Sequence, residues 1–202
     1  AVMKQQDTQR QTQRRGLVVL LLWLLLTMTT ATAQVVNLDD AGPGSLRQEI
    51  LDAAEGATIT FQAGLTGTIN LTGQIIITQN DLAIDATGAT ITVDGNGNGR
   101  IFDHGGNGTL TVINLTIQNG DVGTDAGGGI ISDCAVIVTN STISDNTAGN
   151  GGGIYSEGNI TVNNCTISDN TAEEDGGGII SEGNITVTNS TISGNTAGLG
   201  GG

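Results

Sequence analysis

Asp94, Arg100, Asp103 and His104 stand close together in the stretch DGNGNGRIFDH and form the best catalytic constellation the chain offers. Two carboxylates beside an imidazole could divide general-acid and general-base roles, while the arginine holds an anionic group. His104 is the only histidine, so it is the one side chain that would ordinarily titrate near neutral pH. The same letters read more plainly as a glycine-rich turn carrying a solvated arginine. Asp145 and Asp169 occupy equivalent places in two repeats, and carboxylates that close could raise one pKa for acid/base work. Their third equivalent is Gly194, which suits a ladder of polar turns better than an active site.

Other side chains suggest binding. Asp121 and Asp125, and Glu173, Glu174 and Asp175, lie in a loop of variable length, where several oxygen ligands could gather calcium. Against this, GGNGTLTVI at 105–113 departs from the nine-residue calcium-roll pattern, because Leu110 stands where an aspartate should be. Thr116, Thr142, Thr166 and Thr191 recur one per repeat, with Gln118, Ser144, Ser168 and Ser193 two residues further on. Stacked outward, these hydroxyls could bind sugar or order water, as in ice-binding β-helices, although threonine also simply suits an exposed strand. Cys134 and Cys165 fall at different places in adjacent repeats, which points to two unpaired thiols rather than a disulfide. Eight N-x-S/T sites, among them Asn140, Asn164 and Asn189, come with the repeated text.

What must position these residues is a repeat. Val136 opens VIVTNSTISDNTAGNGGGIYSEG, Ile160 opens ITVNNCTISDNTAEEDGGGIISEG, Ile185 opens ITVTNSTISGNTAGLGGG, and a degenerate copy starts at Leu110. The equivalent valines Val112, Val138, Val162 and Val187 are 26, 24 and 25 residues apart, and the length differences fall before the GGG run. Insertions confined to one loop are the mark of a stacked coil. Within a repeat, apolar and polar residues alternate in short runs broken by asparagine and glycine, and no stretch carries a helical stripe. The pattern predicts an all-β parallel β-helix over residues 57–202, with three short strands per coil and roughly six coils. Strands about 4.8 Å apart would then build a rod of about 29 Å.

Residues 34–56 read as an N-terminal cap. In GPGSLRQEILDAAEG, Ser45 precedes Gln48 by three residues as in a capping box, Leu46 and Ile50 share a face, and Gly56 can end the helix, predicting one over about 45–55. Residues 1–33 read as a secretory signal peptide. Lys4, Arg10, Arg14 and Arg15 precede LVVLLLWLLL, and Ala31 and Ala33 set an A-x-A cleavage site before Gln34. About 12 apolar residues are too few to span a bilayer core of about 30 Å. The expected mature chain therefore has no membrane span. It keeps only Arg47 and Arg100 against 19 acids, a net charge of −17 where the whole chain carries −14. That surface disfavours nucleic acid and polyanionic sugars. The text stops at GGG, where earlier repeats continue with Ile130, Ile154 and Ile179, so the solenoid reads as truncated, with further coils and an anchor or translocator expected downstream.

DDAGPGSLRQEILDAAEGATITF, LAIDATGATITVDGNGNGRIFD and NSTISDNTAGNGGGI resemble secreted bacterial right-handed β-helix proteins of the pectin-lyase-like superfamily, which implies that the coil is right-handed. The GGGI and TISxNTA blocks are similar to polymorphic outer-membrane protein and autotransporter repeats. The resemblance covers the chain from about Val35 onward and implies a bacterial cell-surface or outer-membrane location. The expected role is adhesive or structural, toward a glycan or protein partner and without catalysis, a leaning that comes not from the resemblance but from the residues, since after processing only Arg47, Arg100 and His104 remain as basic groups. The group also contains polysaccharide lyases and glycosidases, which use acidic calcium ligands with a base or clustered aspartates with basic residues. No cofactor is expected beyond calcium.

Overall fold

A computed structural model describes residues 33–198; the leader up to Thr32 lies outside the described residues. The chain winds as a right-handed parallel β-helix whose strands pair almost entirely with those one coil away. One face has seven strands: Gln34–Val35, Thr58–Phe61, Ala83–Asp85, Thr109–Ile113, Ala135–Thr139, Ile160–Asn163 and Ile185–Thr188. A six-stranded face runs from Thr66–Asn70 through Thr90–Asp94, Leu115–Gln118, Thr142–Ser144 and Thr166–Ser168 to Thr191–Ser193. A five-stranded face runs from Ile75–Ile77 through Phe102–His104, Ile130–Ser132 and Ile154–Ser156 to Ile179–Ser181. Three two-residue strands, Thr147–Ala148, Thr171–Ala172 and Thr196–Ala197, add a fourth short ladder to the last coils.

The coil count exceeds the expected six because Gln34 and Val35, assigned to the cap from sequence, pair in parallel with Thr60 and Phe61. The alternation within each strand then sorts the side chains. Ile59, Ile84, Val112, Val138, Val162 and Val187 form one inward column. Ile69, Val93, Ile117, Ile143, Ile167 and Ile192 form another. Each fully covered Ile or Val contributes about 1.5–3 kcal/mol of apolar burial. In the last described coil, Ile185, Val187 and Ile192 remain 45%, 42% and 39% exposed.

The corners follow from residue type. Asn114, Asn140, Asn164 and Asn189 all sit at φ between 50° and 58°, as do Asn119, Asp145 and Asp169 at the next bend. Asn and Asp tolerate this left-handed geometry far better than β-branched residues. The GGG runs answer a different demand: a Cβ on Gly128 would lie 2.5 Å from the Thr147 carbonyl oxygen and 2.7 Å from that of Gly152, so the coils can close only over glycine.

The cap helix spans Leu46–Leu51, shorter than the expected 45–55. Ser45 accepts a hydrogen bond from the Gln48 amide, but the Gln48 side chain turns to Asp52, so the reciprocal half of the capping box does not form. Past the last turn, the Gln79 carboxamide from the coil beneath donates to the carbonyls of Ile50 and Ala53, supplying partners that a helix end lacks. Leu46 and Ile50 are buried on the first coils. No helix among the described residues is long and apolar enough to cross a membrane.

Candidate functional site

Strand alternation splits the quartet Asp94, Arg100, Asp103 and His104. Asp103 and His104 are neighbours on one strand of the five-stranded face, so their side chains point to opposite sides of the wall. His104 is fully buried in an inward column above Ser132. Its Nε2–H donates to the Gln79 carbonyl at 3.2 Å, which leaves Nδ1 to accept from Ser132 Oγ at 2.8 Å. Burial holds its pKa below the ordinary histidine value, against opposing contributions from the Gln79 hydrogen bond and from Asp133, Asp81 and Asp103. This is a hydroxyl–imidazole pair with the contacts of a nucleophile and its base, but it is sealed from substrate. Ser132 Oγ is already engaged by the Cys134 amide.

Arg100 is bound on every side. Its guanidinium pairs with Asp103 at 3.1 Å, reaches Gln74 Oε1, and donates to the carbonyls of Ala126 and Gly127 in the next coil. Arg47 does the same near the cap, pairing with Asp40 at 2.6 Å and donating to the carbonyls of Gly73 and Gln74. The two basic side chains of the described residues thus act as staples between loops rather than as ligands for a substrate anion.

Asp94 lies on the six-stranded face, away from the other three. Burial disfavours its charged form, but donors from Gln118, Asn96 and Asn119 outweigh that effect and hold its pKa below the usual carboxylate value. A carboxyl tuned in this direction is a poor proton donor at neutral pH. Beside it, Asn96, Asn119, Asp121, Asp145 and Thr147 line an open groove of about 310 Å³. Asp145 enters this groove from a left-handed corner, and Asp169 and Gly194 repeat the corner in the next two coils at φ 56° and 67°. The aspartate pair is therefore a corner ladder, as its glycine equivalent suggests.

The calcium candidates are spread along the variable edge. Asp121 caps its own turn through the Gly123 amide, and Glu174 accepts from the Asn150 side chain. Asp175 bonds through its backbone to Asn150 and Gly151. Together with Asp125 and Glu173 these residues supply negative charge, yet no group of three or more His, Cys, Asp or Glu among the described residues is arranged to hold a metal ion.

The hydroxyl row is better formed than its sequence signal. Thr116, Thr142, Thr166 and Thr191 stack in register, and Thr92 and Thr68 extend the column to six threonines on the six-stranded face. The second row, Gln118, Ser144, Ser168 and Ser193, is also in register, although Ser144 is only 9% exposed. Thr68 and Thr92 escape a sequence search because the early coils have lost the TISxNTA text. The same holds for Gln79, whose role depends on a helix 26–29 residues away.

Both cysteines are free. Cys165 takes the place of the inward serines: Ser141 Oγ accepts from the Leu115 amide, Cys165 Sγ from the Ser141 amide, and Ser190 Oγ from the Cys165 amide. Burial pushes the Cys165 thiol pKa up, which suits a structural rather than a reactive sulfur. Comparison with known proteins finds no match among family models, curated proteins or solved structures.

Proposed function

We propose that this chain is the solenoid of a secreted bacterial surface protein, an adhesive or structural module without catalytic activity. The observation that carries the reading is the six-threonine column from Thr68 to Thr191, an in-register row of hydroxyls with a paired strand behind each one. Such a face suits an extended neutral glycan or a protein surface, whereas 19 acids against two committed arginines suit no polyanion. The likeness of the TISxNTA and GGGI blocks to autotransporter-type repeats, and of the whole to pectin-lyase-like proteins, supports the surface location.

The exported full-length chain can be tested against an array of neutral glycans and polyuronides, and against whole cells. Binding to a neutral glycan or cell surface, lost when Thr142 and Thr166 are both replaced by Glu, is the expected result. A second arm follows reducing ends and unsaturated products. Sustained product release, abolished by Asp103→Ala or Asp145→Ala, would instead make the protein a polysaccharide lyase or glycosidase.

A further inference from the structure

The first strand begins where the leader is read to end. Gln34 is the first residue of the seven-stranded face, and its backbone nitrogen lies 3.1 Å from Glu49 Oε2 on the cap helix. On the other side of the bond, the Ala33 carbonyl accepts from the amide of Thr60 at 2.8 Å and from its hydroxyl at 3.3 Å. A bond held in a ladder cannot extend into a protease cleft. Cleavage between Ala33 and Gln34 must therefore precede closure of the first coil, and the end it creates folds directly onto Glu49.

We propose that Glu49 receives the α-ammonium group created at Gln34 by processing and protects that end from cyclising to pyroglutamate. The proposal rests on the reading of the chain as secreted. In the cyclisation, the unprotonated α-nitrogen attacks Cδ of its own side chain. The N–Cδ bond forms, the Cδ–Nε2 bond breaks, and ammonia leaves with a proton from the attacking nitrogen; no oxidant or co-reactant takes part. Only the free amine has the lone pair, and an adjacent carboxylate favours the charged form. An α-amino group ordinarily titrates at about 7.7–8.0, so the pairing acts where the amine would otherwise begin to be free. Glu49 is half-buried beside the strand, and although the Ala33 carbonyl leaves with the leader, the bond from the Gln62 amide to the Val35 carbonyl at 2.8 Å still holds the new end in front of it.

The test uses the full chain, leader included, expressed in a secreting bacterium, with the exported protein held near pH 8 and followed by intact mass and N-terminal sequencing. The expected product starts at Gln34 with a free amine. Glu49→Gln should lose ammonia about two- to fivefold faster, the range of one partly exposed ion pair. Glu49→Asp should stay near the parent rate, and so should Glu55→Gln, whose carboxylate serves the Asn80 amide instead. Should Glu49→Gln fold poorly, added salt makes the same test on the parent, since screening should raise its rate. Equal rates in parent and Glu49→Gln, or no salt effect, would overturn the Glu49 role while leaving secretion standing. A retained leader, or a start elsewhere than Gln34, would overturn both.

Discussion

Asn170→Ala offers the most direct trial of what holds the coils in register. Asn146, Asn170 and Asn195 stack inside the solenoid, with Asn146 and Asn170 fully buried. Asn170 Oδ1 accepts from the amide of Asn146 at 3.1 Å and from its Nδ2 at 2.9 Å, while Asn170 Nδ2 donates to Ile143 O at 3.0 Å and Asn195 Oδ1 at 2.9 Å. Removing the side chain leaves the Asn146 amide and one Nδ2 proton without acceptors in a dry interior. Each orphaned donor costs about 1–3 kcal/mol, so the loss should be about 2–6 kcal/mol. Urea unfolding, read by circular dichroism and by hydrogen exchange of the last coils, measures it, since a repeat array need not unfold as one unit. Glu173→Ala, three residues later, exposed and outside the left-handed corners, should change stability by less than about 0.5 kcal/mol. A loss below about 1 kcal/mol for Asn170→Ala would refute the ladder as a source of stability.

Two further outcomes follow from position and charge. Ile143→Ala removes a fully buried side chain and should cost about 2–5 kcal/mol in denaturant unfolding. Ile76→Ala makes the same chemical change on the outer side of the wall, where the side chain is 62% exposed, and should cost much less, so equal losses would sink the inward–outward argument. His104 has a folded pKa below its ordinary value, so the unfolded chain binds the extra proton first. Its contribution to stability should be complete above about pH 6.5 and should fall with pH below it, a slope that His104→Gln would flatten.

The fold is legible in this sequence because a β-helix repeats its constraints. Val112, Val138, Val162 and Val187 sit in one column and in one spacing of the text. The early coils are less legible: Gln34–Val35 reads as cap because two residues carry no period, and Thr68 and Thr92 lack the flanking letters that mark their later equivalents. Residues 94–104 mislead for a physical reason. Closeness along the chain brings Asp103 and His104 together in sequence, whereas the two-residue period of a strand sends them to opposite sides of the wall. Likewise, the letters DNT and GNT announce a conserved turn without disclosing that Asn146 and Asn170 point into the core.

The corner asparagines carry a consequence for how such a molecule can change. A coil brings its own left-handed bends at positions like Asn140 and Asp145, its own inward valine and isoleucine, its own outward threonine and its own buried asparagine. In the later repeats these columns, with the backbone ladders beneath them, make most of its contact with the coils on either side. An in-frame duplication of a single coil would therefore find compatible partners both above and below it, with no compensating substitution elsewhere. A product lengthened in steps of one coil would keep each column continuous, and the segments opening at Val136, Ile160 and Ile185 are nearly identical, as such copying would leave them.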